Sequence, residues 1–115
     1  MTIIDQSTVS VVATYTEPTT NPDNSPLDDL AYTSVYYHVN GGQKIVGVKT
    51  ASTIKSGGGN INVDLIVPAP TGGVTLLDFY VTATDLSGNE SVPSPSVSLT
   101  IERFAPSSPT SFTVV

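Results

Sequence analysis

Cysteine and tryptophan are absent from this 115-residue chain, and histidine occurs once. Without cysteine there is neither a disulfide framework nor a thiolate metal site. Basic side chains are also scarce: Lys44, Lys49, Lys55 and Arg103 are the only four, set against ten Asp and Glu for a net charge of −6. Phosphate neutralisation needs clustered Lys and Arg, so nucleic acid is not expected as a partner. No apolar run approaches the length that crosses a bilayer, so no membrane partner is expected either. Residues 1–10 carry Asp5 and lack a basic start and an apolar centre, so they do not read as a secretory leader. If Met1 is the natural start, the expectation is synthesis in the cytosol without general export. Sustained 3.6-residue periodicity is missing too, and proline recurs wherever a helix would have to run.

What remains is a chain suited to β structure. Nine Gly and nine Pro punctuate stretches rich in Val and Thr, as expected of many short strands joined by turns. The stretch 75–101, TLLDFYVTATDLSGNESVPSPSVSLTI, organises the rest. Leu77, Phe79, Val81 and Ala83 share one parity of their run, and Val97, Leu99 and Ile101 share one parity of theirs, with breakers between them at 85–96. Successive strand side chains point to opposite faces, so each run is expected to bury one face. Ahead of this hairpin, 7–16 alternates cleanly until Pro18, and 17–29 reads as a loop too polar to pack. Residues 30–39 form the next expected strand, with Val35, Tyr37 and Val39 inward. Asn40-Gly41-Gly42 is a tight-turn signal, because mirror-image hairpin turns need positive φ. Residues 44–49 return as an edge strand whose lysines discourage sheet-to-sheet pairing. Residues 50–59 read as a loose connection ending in three glycines. Ile61, Val63, Leu65 and Val67 alternate again.

The order and wording of these strands resemble a fibronectin type III domain over roughly residues 7–101. The resemblance is carried by SVVATYTEP at 10–18, SVYYHVNG at 34–41 and, most specifically, FYVTATDLSGNESVPS at 79–94. Tyr15 stands where that family usually has Trp. Leu77 stands where it generally has a Tyr whose hydroxyl ties down the preceding loop. The resemblance implies an all-β, antiparallel immunoglobulin-like or fibronectin type III-like β-sandwich. Its body is expected at 7–103, after an N-terminal segment at 1–6 and before a C-terminal extended arm at 104–115. The family's first strand would have to precede Ser7, where only six residues stand. The tail APSSPTSFTVV at 105–115, by contrast, resembles the linker and first strand of a following module. A linker of about six residues spans at most roughly 20 Å, so completing its own sandwich is awkward. Three fates are open to the tail: docking on a neighbouring subunit by strand addition, packing on its own body, or a free extension. A docking arm would use Phe104, Pro106, Pro109, Phe112 and Val114.

Two further groups merit attention. In the implied topology the loops at 17–29, 50–60 and 85–96 emerge at one pole, gathering Asp23, Asp28, Asp29, Asp85 and Glu90. Such a pole suits a recognition surface or a solvated rim. Calcium takes six to eight oxygens, but no calcium-loop spacing is present, and Asp85 and Asn89 are accounted for by turn hydrogen bonds. Tyr32, Tyr36 and His38 form an aromatic stripe on the outer face of one sheet, suited to stacking on a sugar, to a protein contact or to cross-strand packing. No nucleophile–base pair, metal set or cofactor motif is apparent, so an enzyme is not expected. Two functional classes remain. One is a virion structural protein, such as a bacteriophage capsid decoration or tail component, assembling as a homo-oligomer or on other capsid or tail subunits. The other is a secreted spacer or binding module, contacting protein or a surface glycan.

Overall fold

In the computed structural model, which describes residues 8–114, the chain is built from six antiparallel strands: β1 (Thr8–Thr16), β2 (Leu30–Val39), β3 (Ile45–Ala51), β4 (Asn60–Pro68), β5 (Val74–Asp85) and β6 (Val97–Glu102). No helix occurs among the described residues. The segment expected at residues 1–6 lies outside them, as do Ser7 and Val115. The strands form two sheets, β1-β4 and β3-β2-β5-β6, which enclose one apolar core.

Alternation sets that core. Val35 and Tyr37 from β2, Leu65 and Val67 from β4, and Leu77 from β5 are its buried centre, with Val9, Val11, Ala13 and Tyr15 of β1 packed against them. Each contributes one parity of its strand, as period-2 geometry requires. The β2–β3 turn has Asn40 at φ 51° and Gly41 at φ 74°, the two consecutive positive values of a tight mirror-image turn. Asn40 Oδ1 also accepts the Leu76 N–H at 2.8 Å, which ties this turn to β5.

Beyond β5, residues 90–94 run antiparallel beside it without a regular ladder. Pro93 and Pro95 have no N–H to offer, and serine hydroxyls accept β5 N–H groups in place of strand carbonyls. Ser94 Oγ accepts the Val81 N–H at 3.0 Å and Ser91 Oγ accepts the Ala83 N–H at 2.9 Å. The corner at 69–73 is held by Arg103, whose guanidinium donates to the Ala69 carbonyl at 2.8 Å and whose backbone exchanges bonds with Gly72 and Gly73.

Two loops differ from their reading in the sequence. Residues 17–29 do pack: Leu27 is buried and Glu17 is only 2% exposed. The Glu17 carboxylate accepts the Thr53 N–H (3.0 Å), the Thr53 hydroxyl (2.6 Å) and the Gly59 N–H (2.9 Å). The stretch ending in three glycines is consequently not loose. A Cβ at Gly57, which has φ +70°, would stand 1.9 Å from the Pro18 carbonyl oxygen, and one at Gly59 would stand 2.8 Å from the Glu17 carboxylate. The glycines are there because two loops touch.

Candidate functional site

The most unusual surface lies along one long side of the molecule, where β1 faces β6. β1 pairs with β4 only, so its other edge has no partner among the described residues. Val97 and Leu99 of β6 lie in register with Phe79 and Leu77 of β5. That register puts them on the core-facing side, yet Val97 remains 67% exposed. This corrects the expectation that the Val97-Leu99-Ile101 run buries its face. Ile101 does pack on the core, whereas above Val97 and Leu99 the opposite sheet has ended at β1. The result is an open seam of about 560 Å³, lined by Val11, Tyr15, Phe79, Val81, Pro95 and Val97 among others, with no charged side chain in its lining.

The tail begins where the last backbone pairing stops. Arg103 is held by Gly72 and Gly73, and no strand follows it through residue 114. Phe104, Pro106 and Pro109 are exposed, and Phe112 and Val114 reach 85% and 81% exposure. The tail therefore does not pack on its own body. Nor do Phe112 and Val114 form the strand that their alternation suggests; instead Ser111 adopts φ 61°.

The outer face of the four-stranded sheet holds the aromatic stripe, in a different state from the one expected. Tyr36 is only 8% exposed. Its ring lies 5.4 Å from Tyr80 and 4.6 Å beneath the Lys44 ammonium, and its hydroxyl donates to Glu90 Oε2 at 2.6 Å. Thr82 donates to the same oxygen at 2.7 Å. Tyr32 is capped by Lys49 at 5.2 Å, and His38 Nδ1 lies 2.8 Å from the Gly42 carbonyl oxygen. Hydrogen bonds from Tyr36 and Thr82, aided by Lys44 and Lys49, hold Glu90 below its ordinary carboxylate range. Burial of Ser34 beneath this layer is complete, and its hydroxyl has no hydrogen-bond partner.

Glu90 thus joins the tyrosines, not the acidic pole. The loops of that pole do converge, since the Leu30 N–H donates to the Lys55 carbonyl and the Leu86 N–H to the Asp29 carbonyl. Its carboxylates, however, are turned to local duties. Asp23 accepts from the Ser25 N–H and hydroxyl, and Asp85 accepts from the Ser87 N–H and from the backbone and side chain of Asn89. These bonds lower both groups' pKa values. Asp28 and Asp29 lie at the same end of the molecule. No group of three or more His, Asp or Glu able to hold a metal ion occurs among the described residues.

Sequence reasoning missed Tyr80 and the seam. Tyr80 carried a signal, being on the parity opposite to Leu77 and Phe79. The seam carried no local signal, because Val97 and Leu99 alternate as covered core residues do. No protein-family model, curated protein or solved structure matches the chain.

Proposed function

We propose that this protein is a non-enzymatic assembly protein, with an immunoglobulin-like or fibronectin type III-like body, that docks on neighbouring subunits through its C-terminal arm, residues 104–115. The observation that carries this reading is the exposure of Phe112 and Val114 at the end of a tail that makes no use of them at home. Leaving two such side chains in water forgoes about 1.5–3 kcal/mol each, which a partner surface recovers. The molecule measures 76 × 32 × 21 Å, whereas its longest strand, β5, has 12 residues, or about 40 Å. A tail of residues 104–114 that leaves the body is consistent with the excess.

Within this reading a virion component, such as a capsid decoration or tail protein of a bacteriophage, is the setting that fits best. A small cysteine-free sandwich with an uncharged apolar arm suits repetitive assembly from one chain. In the alternative, a spacer or binding module of a secreted protein, the same tail would open the next module, and the tyrosine face would meet a glycan or a protein.

Deleting residues 104–115 separates the two. Under the assembly reading the deletion converts an oligomer, seen by light scattering or analytical ultracentrifugation, into a monomer with an intact β signature by circular dichroism. A chain that is monomeric both with and without these residues, up to about 1 mM, would remove the assembly reading.

A further inference from the structure

We infer that the acceptor for the tail is the β1–β6 seam of a second copy of this same chain. The inference rests on the docking reading and specifies its other half. Donor and acceptor match in four respects.

The first is hydrogen bonding: β1 has an unpartnered edge, and an incoming extended segment supplies the missing ladder. The second is side-chain content, because the seam is apolar where the tail carries Phe112 and Val114, two residues apart and hence on one face of a strand. The third is charge. Two copies of a −6 protein repel, yet neither the seam lining nor residues 104–114 contains a charged side chain. The contact therefore brings no like charges together.

Reach is the fourth. The tail leaves beside the start of β1, since Glu102 pairs with Val74, next to the corner that follows Pro68, and Pro68 pairs with Thr8. Pointing away from its own body, it meets a neighbour's seam from the far end, at Thr16, and runs antiparallel to that β1. Phe112 then lies against Tyr15, Val81 and Val97, and Val114 deeper, toward Val11 and Leu99. Ser111 returns from φ 61° to the extended region, which a residue with a Cβ prefers.

Each copy donates one tail and accepts one, so the contact is head-to-tail. It generates a ring if the rotation closes and a filament if it does not.

The natural absence of cysteine makes disulfide trapping clean. The full-length Leu99→Cys chain is mixed with the full-length Val114→Cys chain and oxidised mildly. A Leu99–Val114 cross-link between the two chains is expected. It should exceed by about tenfold or more the yield when Val46→Cys, exposed on the opposite side at β3, replaces Leu99→Cys. In a parallel measurement Phe112→Asp should weaken association by about tenfold or more.

Equal trapping at positions 46 and 99 overturns the seam assignment. So does an intramolecular cross-link within the Leu99→Cys/Val114→Cys double variant, or within Ile3→Cys/Leu99→Cys, because the seam would then be filled from its own chain. If truncation at 104 abolishes assembly but no cross-link to position 99 forms, arm docking survives and the seam is not its acceptor. If truncation leaves assembly untouched, both ideas fail.

Discussion

The two long sides of this sandwich are built differently. On one side β3 approaches β4 so closely that a Cβ on Gly47 would stand 2.3 Å from Leu65 Cδ2 and 3.1 Å from the Val35 carbonyl oxygen. Leu65 is core there, and glycine in a strand marks the close approach. On the other side β1 and β6 stay apart, and Val97 and Leu99 face a gap. Both sides are lined by apolar residues from strands that alternate equally well. What differs is whether another element lies across them. One side has been closed by the chain itself, and the other is covered by no strand among the described residues.

The comparison breaks most readily at the closed side. Gly47→Ala pushes a methyl group into Leu65, whose other neighbours are buried core, and should cost about 2–3 kcal/mol as overpacking. Urea unfolding of the full-length chain measures it. A cost below about 0.5 kcal/mol would mean that β3 and β4 are not in tight contact, and that both sides are open.

A smaller effect is expected at the pole joining the sides. Burial of Glu17 favours the protonated form, but the three hydrogen bonds from Thr53 and Gly59 outweigh it and lower the pKa from its ordinary 4.5. A carboxylate with a depressed folded pKa contributes stability above its unfolded pKa, and that contribution disappears as pH falls through the folded value. Glu17→Gln should therefore cost about 1–2 kcal/mol at pH 7, with the difference from the parent shrinking below pH 4.5. A constant difference down to pH 2 would show that the carboxylate's charge plays no part in joining the loops.

These contrasts also show what the sequence could disclose. Strands were legible because each needed only its own alternation: residues 30–39 coincide with β2, and 7–16 coincides with β1 over its described residues. The β2–β3 turn was legible because Asn40 and Gly41 state their φ requirement locally. The role of Glu17 was not, since its partners Thr53 and Gly59 lie 36 and 42 residues away. Glu90 was grouped with the wrong neighbours for the same reason, its partner Tyr36 being 54 residues distant. The seam was least legible. Val97 alternates like any core residue, and only the sheet order reveals that no strand among the described residues covers it.

The smallest expected effect tests the open side most directly. In the chain lacking residues 104–115, which cannot donate a tail, Val97→Ser should change stability by less than about 0.5 kcal/mol. The side chain is already 67% exposed, and solvent-facing substitutions seldom cost more. In the full-length chain at assembling concentrations the same substitution should cost more than it does in the truncated monomer. Val97 would then be covered by Phe112 of another copy, and the lost contact shifts the linked association equilibrium. The measurement is the midpoint of thermal unfolding for both pairs as protein concentration is raised. A large cost in the truncated monomer would mean that the seam is sealed by its own chain, and the two sides of the sandwich would no longer differ.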